Sequence, residues 1–547
     1  MSRKQDEPVA GLPMRPKLAT SVSVHPPRDA ESRWVIERRG AKYYRVGSDV
    51  AKAARLLTGE HDRDDLLDLL GDPWDEAALE QLLGQFQSMR LLDDGRSATR
   101  TSTVPRRLVF VPPLTLQISL FNPSAMLTRL APLTEVLSRR GPLALVAAVI
   151  VGGLLALAWH AADLRQALSY PVSGGTFLIF LLGVLTFTAI HEVAHGAVLT
   201  HYGAHPRRMG FMLFYLVPAF FCDVSEGWLL PRNKQRVRVA LAGIVAQLAC
   251  AGLCALAALV VGAPEARSCL LLLAASMYLA GVVNLVPFVK LDGYLALMAH
   301  LDIPNLRAKA IADARNAVSV TLFGARRERE LPGLRWAVPY GLACMVFPVY
   351  LVGFVAFAMW SRVLGGSGIV GALLVLTALS ALAMMLVKGL RNLVAAARAG
   401  GASLVRIGAV GVLATGALVL ALGQVQVTQT VNGFYLEDAD GVRLVMPTSV
   451  PTDRIESGQQ VELRTNGMVR RPVTGSATVA SDTASETELS ALRFLPVELD
   501  VDLPTTYLVY ELETQDAPAT SEGTAKVESG ERSLGGWLYA QYIEPAL

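Results

Sequence analysis

Seven stretches of this sequence are long and apolar enough to cross a lipid bilayer, and that leaves few folds open to it. A hydrocarbon core of about 30 Å takes about 20 apolar residues per helix. A spanning segment must also satisfy its own backbone groups there. The stretches are residues 142–159, 175–199, 237–261, 268–288, 336–360, 368–387 and 407–422. An eighth run, 209–221, is short and interrupted by Pro218, which predicts a re-entrant or hairpin element rather than a span. Composition agrees: 52% of residues are hydrophobic and 18% charged, too apolar a balance for a soluble globule. The fold class expected is a polytopic α-helical membrane protein of about seven spans, flanked by soluble domains.

Charge placement orients the spans. With the N-terminus inside, the inner connections carry Arg139 and Arg140, then Arg207, Arg208, Arg232, Lys234 and Arg236. Lys290, Arg307, Lys309, Arg315, Arg326 and Arg327 follow, then Lys388, Arg391 and Arg398. The outer connections hold one basic residue each, Arg165, Arg267 or Arg362. The positive-inside rule therefore predicts a multi-pass protein of the cell membrane with a cytoplasmic N-terminus and an external C-terminal domain. Cys222, Cys250, Cys254, Cys269 and Cys344 all fall in or beside apolar stretches and are expected to pack there rather than form a disulfide scaffold. Membrane lipid is an implied partner; nucleic acid is not.

Residues 1–30 are polar and Pro-rich and lack the apolar core of a signal peptide, so a disordered tail is expected, with insertion left to internal segments. Residues 31–96 predict a small soluble domain. Two alternating strands at 34–37 and 42–46 are joined by a turn at Arg39-Gly40, and amphipathic helices follow at 50–57, 63–70 and 76–89. This pattern resembles the winged-helix domains known as RiPP recognition elements, which grip leader peptides of ribosomally made, modified peptides. An unspecialised helical cap is the alternative. Residues 97–141 are expected to be a linker and membrane-entry segment, and 142–424 the membrane domain. From 425 to 547 short alternating runs at 425–431, 442–446, 460–464 and 507–512 predict an all-β domain. Its segments 457–461 and 523–527 resemble the barrel of periplasmic adaptor proteins, which implies either a docking surface for an export partner or a stabilising cap.

The chemistry-bearing motif is His191-Glu192-Val193-Ala194-His195, inside the second apolar stretch. Histidines four apart leave nearly the same face of a helix, so both imidazoles can reach one metal ion, with Glu192 beside that face as a base. Ionisable groups in a membrane helix cost roughly 2.5–3.5 kcal/mol each on insertion scales, so they are kept mainly for function. A catalytic zinc takes three protein ligands and leaves one position open. Two residues compete to be the third. His201 has the metzincin spacing, but Val198 stands where that motif needs a glycine, and a continuing helix carries His201 about 240° around from His195. His201 and His205 are therefore expected at the inner interface. Asp292 is the better candidate. Pro287 should kink or end the fourth span, Gly293 should permit a turn, and the returning chain can present Asp292 at the depth of the histidines. Asn284 can satisfy backbone groups freed by the break or hold an extended substrate.

His191-Glu192-x-x-His195 together with Asn284-x-x-Pro287-x-x-x-x-Asp292-Gly293 resembles the paired signature of the site-2 protease family. Residues 223–228 and 238–243 are similar to that family as well, whereas Ile244 departs from the proline frequent there. The resemblance covers roughly residues 131–301. It implies a membrane-embedded metalloprotease with Zn2+ on His191, His195 and Asp292 and with Glu192 as catalytic base. With the N-terminal domain it implies removal of the leader from a modified precursor peptide bound through residues 31–96, as in peptide-maturation systems including the daptide type. Two other readings stay open: a regulatory protease cutting a membrane-anchored signalling protein, and a non-enzymatic membrane scaffold or export partner.

Overall fold

Alternation of valine and serine near the N-terminus builds the first sheet. In the computed structural model, which describes residues 13–27, 34–38, 42–93, 108–111, 115–214, 217–325, 329–363, 368–439, 441–448, 450 and 452–542, strand β1 (Val22–His25) pairs antiparallel with β2 (Trp34–Arg38). β3 (Lys42–Val46) pairs with the other edge of β2. Part of the expected disordered tail is thus ordered. Val22 and Val24 turn toward the domain core, and Lys17 and Leu18 bridge to Thr58 and Leu92, so this stretch gains both ladder bonds and apolar burial. The turn expected at Arg39-Gly40 lies outside the described residues.

Helices α1 (Ser48–Leu56), α2 (Arg63–Leu70) and α3 (Glu76–Ser88) cover the sheet. Asp62 caps α2 in a reciprocal capping box with Asp65, and the Asp75 side chain accepts the Ala78 N–H at the start of α3. Ile36, Leu66, Leu83 and Leu91 are fully buried between the layers.

The stretch expected as a linker also holds structure. β4 (Leu108–Val111) and β5 (Thr115–Phe121) form an antiparallel pair, and α4 (Ser124–Leu137) follows. Residues 94–107 and 112–114 lie outside the described set. The physical reason for the order is an open edge in need of a partner. The run at 209–221 is a hairpin, and its first strand takes β5 as a neighbour.

Seven helices among the described residues are long and apolar enough to span a bilayer, and the chain is a polytopic membrane protein. In chain order the membrane domain runs α5 (Arg140–Trp159), α6 (Ala161–Ser169), β6 (Val172–Ser173) and α7 (Gly174–His201). The hairpin β7 (Met209–Phe214) and β8 (Val217–Cys222) completes a four-stranded sheet of order β4-β5-β7-β8. Then come α8 (Asn233–Ala258), α9 (Pro264–Leu285), α10 (Asp292–Leu301), α11 (Leu306–Phe323), α12 (Ala337–Val363), α13 (Gly368–Ala399) and α14 (Leu404–Gln424). Helices α5, α7, α8, α9, α12, α13 and α14 supply the spanning segments.

The C-terminal domain is all β. Strands β9 (Gln426–Asp438), β10 (Gly441–Pro447), β11 (Gln460–Arg464), β12 (Val473–Val479), β13 (Ser485–Ser490), β14 (Val497–Glu498), β15 (Pro504–Asp516) and β16 (Glu522–Ser533) are followed by α15 (Leu534–Tyr542). The sheet order β10-β9-β16-β11-β12-β15, closed by pairing of β10 with β15, makes a barrel, and β13 pairs with residues 504–509 of β15, ahead of the stretch 512–516 that β12 takes. Closure removes the edges that an open sheet would expose. Tyr435, Leu444, Leu463, Tyr510 and Val527 fill the interior. The barrel is tied to the connection before α7: β14 pairs parallel with β6, and the Leu168 carbonyl accepts the Arg470 N–H at 2.9 Å.

The chain divides into two units, one of residues 1–143, 188–246 and 295–302, the other of residues 144–187, 247–294 and 303–547. Leu463 has no exposed surface in the second. Leu463→Ala should destabilise the barrel by about 2–5 kcal/mol. Thermal unfolding of the detergent-purified protein, followed by near-UV circular dichroism, should show the lowered transition; an unchanged transition would contradict this core.

Candidate metal centre

Helix α7 carries His191, Glu192 and His195 in its last three turns, where a 3.6-residue period puts the two imidazoles on one face. Both rings are buried, 5% and 4% exposed. Their Nε2 atoms approach to 3.1 Å and the rings meet edge to face. The Nδ1 of His195 lies 2.7 Å from the Val239 carbonyl oxygen on α8. A carbonyl only accepts, so Nδ1 must carry the proton and donate it. The lone pair of His195 is therefore on Nε2, facing His191. A second hydrogen bond of this kind is how a metal-ligating imidazole is oriented and its tautomer fixed.

One helical turn beyond Val239, Gly243 faces the same two rings. A Cβ at that position would stand 2.4 Å from His195 Nε2 and 2.7 Å from His191 Nε2. Only glycine leaves the space in front of both nitrogens open. Val239 and Gly243 thus act as one face of α8, the first holding a ring and the second leaving open the space in front of both ring nitrogens.

Asp292 completes the set. His191, His195 and Asp292 offer ligand atoms that all lie within 4.8 Å of one another. Two neutral imidazole nitrogens and one carboxylate oxygen form a donor set suited to zinc, and the cradle at Gly243 has room for an ion, so the residues present fit the group.

The delivery of Asp292 depends on a break in the chain. Helix α9 ends at Leu285, Val286 is extended, and Pro287 follows, as the missing amide and the ring clash of proline require. The carbonyls freed there find partners on later helices: the Tyr340 hydroxyl donates to Pro287 O at 2.7 Å, and Arg307 Nε donates to Phe288 O at 3.0 Å. Asn284, expected to serve the break or hold substrate, is half-buried in the last turn of α9, and among the described residues its amide makes no hydrogen bond to those carbonyls. Gly293 is needed for a reason other than the turn conformation expected. It sits in the first turn of α10, is not among the positive-φ glycines, and its Cβ would lie 2.1 Å from the Leu285 carbonyl oxygen. Close approach of the returning chain, not a left-handed backbone, selects glycine.

Glu192 is half-buried and its Oε2 accepts the Cys222 N–H at 2.8 Å, at the end of strand β8. The Cys222 thiol is pushed up to about 12 by its burial, with the Glu192 carboxylate adding to the effect. It is therefore a neutral neighbour of the carboxylate rather than a nucleophile. His201 closes α7 with its ring against Tyr202, outside the three-residue group, and the exposed His205 donates its backbone N–H to Glu226. The Val239 carbonyl, Gly243, the Cys222 amide, Tyr340 and Arg307 were not singled out in the sequence. Only the i, i+4 spacing of Val239 and Gly243 in the quoted 238–243 run offered a signal.

Two curated proteins are similar to this chain. "Putative peptide zinc metalloprotease protein YydH" of Bacillus subtilis (strain 168) is 28% identical over 146 residues, 26% of this chain and 56% of that protein. "Putative zinc metalloprotease Rip2" of Mycobacterium tuberculosis (strain ATCC 25618 / H37Rv) is 30% identical over 226 residues, 37% of this chain and 84% of that protein. The chain spans little more than half the length of the first. No protein-family model and no solved structure matches it significantly.

Because a methyl group at residue 243 would occupy the space between the ring nitrogens, Gly243→Ala should lower zinc affinity by at least about tenfold, the scale on which groups supporting a metal's ligands act. Competition with a fluorescent zinc chelator measures it. Wild-type affinity in the variant would mean that the ion does not sit in front of the two rings.

Proposed function

The chain belongs to the zinc metalloprotease family that includes Rip2, and from that premise we propose that it is an intramembrane protease of the site-2 type, hydrolysing a peptide bond with zinc on His191, His195 and Asp292 and with Glu192 as base. The observation that carries this reading is the convergence of the three ligand atoms within 4.8 Å, beside a carboxylate anchored by a backbone amide.

Zinc held there would act as a Lewis acid, lowering the pKa of water to about 7 and polarising a carbonyl. The protein's own residues do the rest. The Val239 carbonyl keeps His195 in the tautomer with Nε2 free of a proton. Gly243 keeps side-chain atoms away from both rings. Glu192, oriented through one oxygen by the Cys222 N–H, takes the proton of the attacking water and returns it to the leaving amine. A helical substrate must unwind first, because its amides are already hydrogen-bonded. Among the described residues β8 pairs only with β7, and it ends at the amide that holds Glu192. An extended substrate added along that edge would run past the carboxylate.

For the substrate we favour a ribosomally made precursor peptide whose leader is removed. β3 is an edge strand of the N-terminal sheet, as β1 is, and offers an extended leader the same edge pairing, and YydH is named as a peptide metalloprotease. In this reading the N-terminal domain and the site share the cytoplasmic side, as the charge distribution expects, and the barrel lies outside.

Three variants test the chemistry. Glu192→Gln should keep zinc and lose at least about 10²-fold in kcat, the range of general acid–base catalysis. Asp292→Ala should lose or weaken zinc, and His201→Ala should change neither. Metal analysis with cleavage of a co-expressed precursor reads all three; full activity in Glu192→Gln would end the reading. For the substrate, a precursor with its leader should show a lower KM than the same peptide without it, and excess free leader should compete. Equal KM values would dismiss leader recognition.

A further inference from the structure

The N-terminal domain and the membrane domain meet through charges, and the most buried of these is Glu37. It lies on β2, only 4% exposed, and its two oxygens are both engaged. His25 Nε2 lies 2.8 Å from one, and Arg207 Nη2 donates to the other at 2.7 Å. Arg207 belongs to the connection between α7 and β7. Its Nε donates to Glu226 at 2.9 Å, and the second Glu226 oxygen accepts the His205 N–H. Burial works against the Arg207 charge, but the bonds to Glu37 and Glu226 outweigh it and hold the guanidinium more firmly protonated than usual. Tyr43, directly across from Glu37 in the β2–β3 ladder, has its hydroxyl pushed up by burial and by that carboxylate.

A second contact lies alongside. Arg45 on β3 pairs with Asp302, which also accepts from Arg236 Nη2 at 3.1 Å, and the Arg236 guanidinium faces the Trp228 ring. Asp302 directly follows α10, the helix that begins with Asp292.

The first contact leads to Glu192 by a short route. Arg207 is two residues before Met209, the first residue of β7, and Met209 stands opposite Cys222 in the hairpin register. Arg208 locks that end of the hairpin: its carbonyl accepts the Asp223 N–H at 2.8 Å, and its guanidinium pairs with the Asp223 carboxylate at 3.2 Å. The Cys222 N–H then holds Glu192. From Glu37 to Glu192 the steps are a charged pair, the two residues from Arg207 to Met209, a strand register, and the bond from the Cys222 N–H to the Glu192 carboxylate. A buried ion pair gives little net stability over apolar packing, so its use here is geometric; without Glu37 the half-buried Arg207 keeps Glu226 alone and the hairpin loses its tie to β2.

We propose that Glu37 and Arg207 are positioning residues for hydrolysis: through this pair the N-terminal domain sets the hairpin whose Cys222 amide aims Glu192. This inference rests on the reading of Glu192 as base. It assigns the N-terminal domain a part in every turnover, including turnover of substrates that never touch its peptide-binding edge.

The test uses the full-length protein in detergent and a quenched fluorogenic apolar peptide with no leader. In Glu37→Gln, zinc content and KM should match wild type while kcat falls about tenfold, a conservative loss for a displaced base. Hydrogen exchange at the hairpin amides, Cys222 included, should quicken by about tenfold as the local structure opens more readily. Unaltered kcat and exchange would overturn the proposal, as would a change confined to KM, which a docking role alone predicts. If Glu37→Gln does not fold, Glu37→Asp keeps the charge on a shorter arm; it should show the same two changes in smaller measure, and wild-type values in it would overturn the proposal equally. A wild-type protein that takes up no zinc and cleaves nothing would fell the protease reading instead, and the hydrogen exchange would still decide whether Glu37 sets the hairpin.

Discussion

An imidazole buried in a membrane helix has few solvent partners, so the protein must supply one that fixes its orientation. That requirement organises the centre of this protein. His195 gives its Nδ1 proton to the Val239 carbonyl, and the bond fixes which nitrogen faces inward. The carbonyl comes from a neighbouring helix, so α7 and α8 must lie close along this turn, and Gly243 is the residue that lets them. A single hydrogen bond thus sets a tautomer, a helix spacing and the identity of a residue four positions further on. The open space in front of Nε2 is what these three together leave.

The third ligand candidate has the opposite problem. Asp292 has to be presented by a chain that has left its helix, where freed carbonyls would be costly to bury. Pro287 ends α9, and the two carbonyls it exposes are taken by Tyr340 on α12 and Arg307 on α11. Arg307 reaches further and also binds the Cys344 carbonyl on α12. The later helices, which carry none of the motif residues, therefore act as the scaffold of the break. Gly293 then lets the returning chain pass against Leu285 at backbone distance.

Much of this was readable before any coordinates. Hydropathy gave all seven spans, because twenty apolar residues have no other use in a chain of this kind. The helices α1 to α3 were readable from amphipathic and leucine spacing, whereas the caps Asp62 and Asp75 emerged only with the structure. His191 and His195 were paired by helix periodicity alone. What escaped was tertiary or weakly patterned. The carbonyl of Val239 leaves no trace in a side-chain sequence, and neither does the Cys222 amide. Strand β1 hid in a polar, Pro-rich tail, although Val22 and Val24 alternate; β5 hid in an apolar approach to the membrane, although Leu116, Ile118 and Leu120 alternate as well. The barrel strands β12 and β13 are short and rich in Ser and Thr, so their half-buried faces gave little contrast, and of β16 only the segment 523–527 was legible. Gly293 was found for the wrong reason, since a turn and a close approach both call for glycine and only geometry separates them.

The hairpin β7–β8 joins these two halves of the account. In a bilayer an isolated two-stranded hairpin would expose unpaired backbone on both edges. Here β5 covers one edge, and the far edge ends in an amide spent on Glu192. The sheet that β5 supplies comes from the segment between the N-terminal domain and the first span, so the same stretch of chain that brings that domain to the membrane also builds the floor on which the carboxylate is aimed. Charge then finishes what the ladder begins. Backbone pairing fixes the register of β7 against β8 but leaves the hairpin free to tilt about its base. The pairs of Arg207 with Glu37 and Glu226, and of Arg208 with Asp223, remove that freedom at the one end where Cys222 and Glu192 meet.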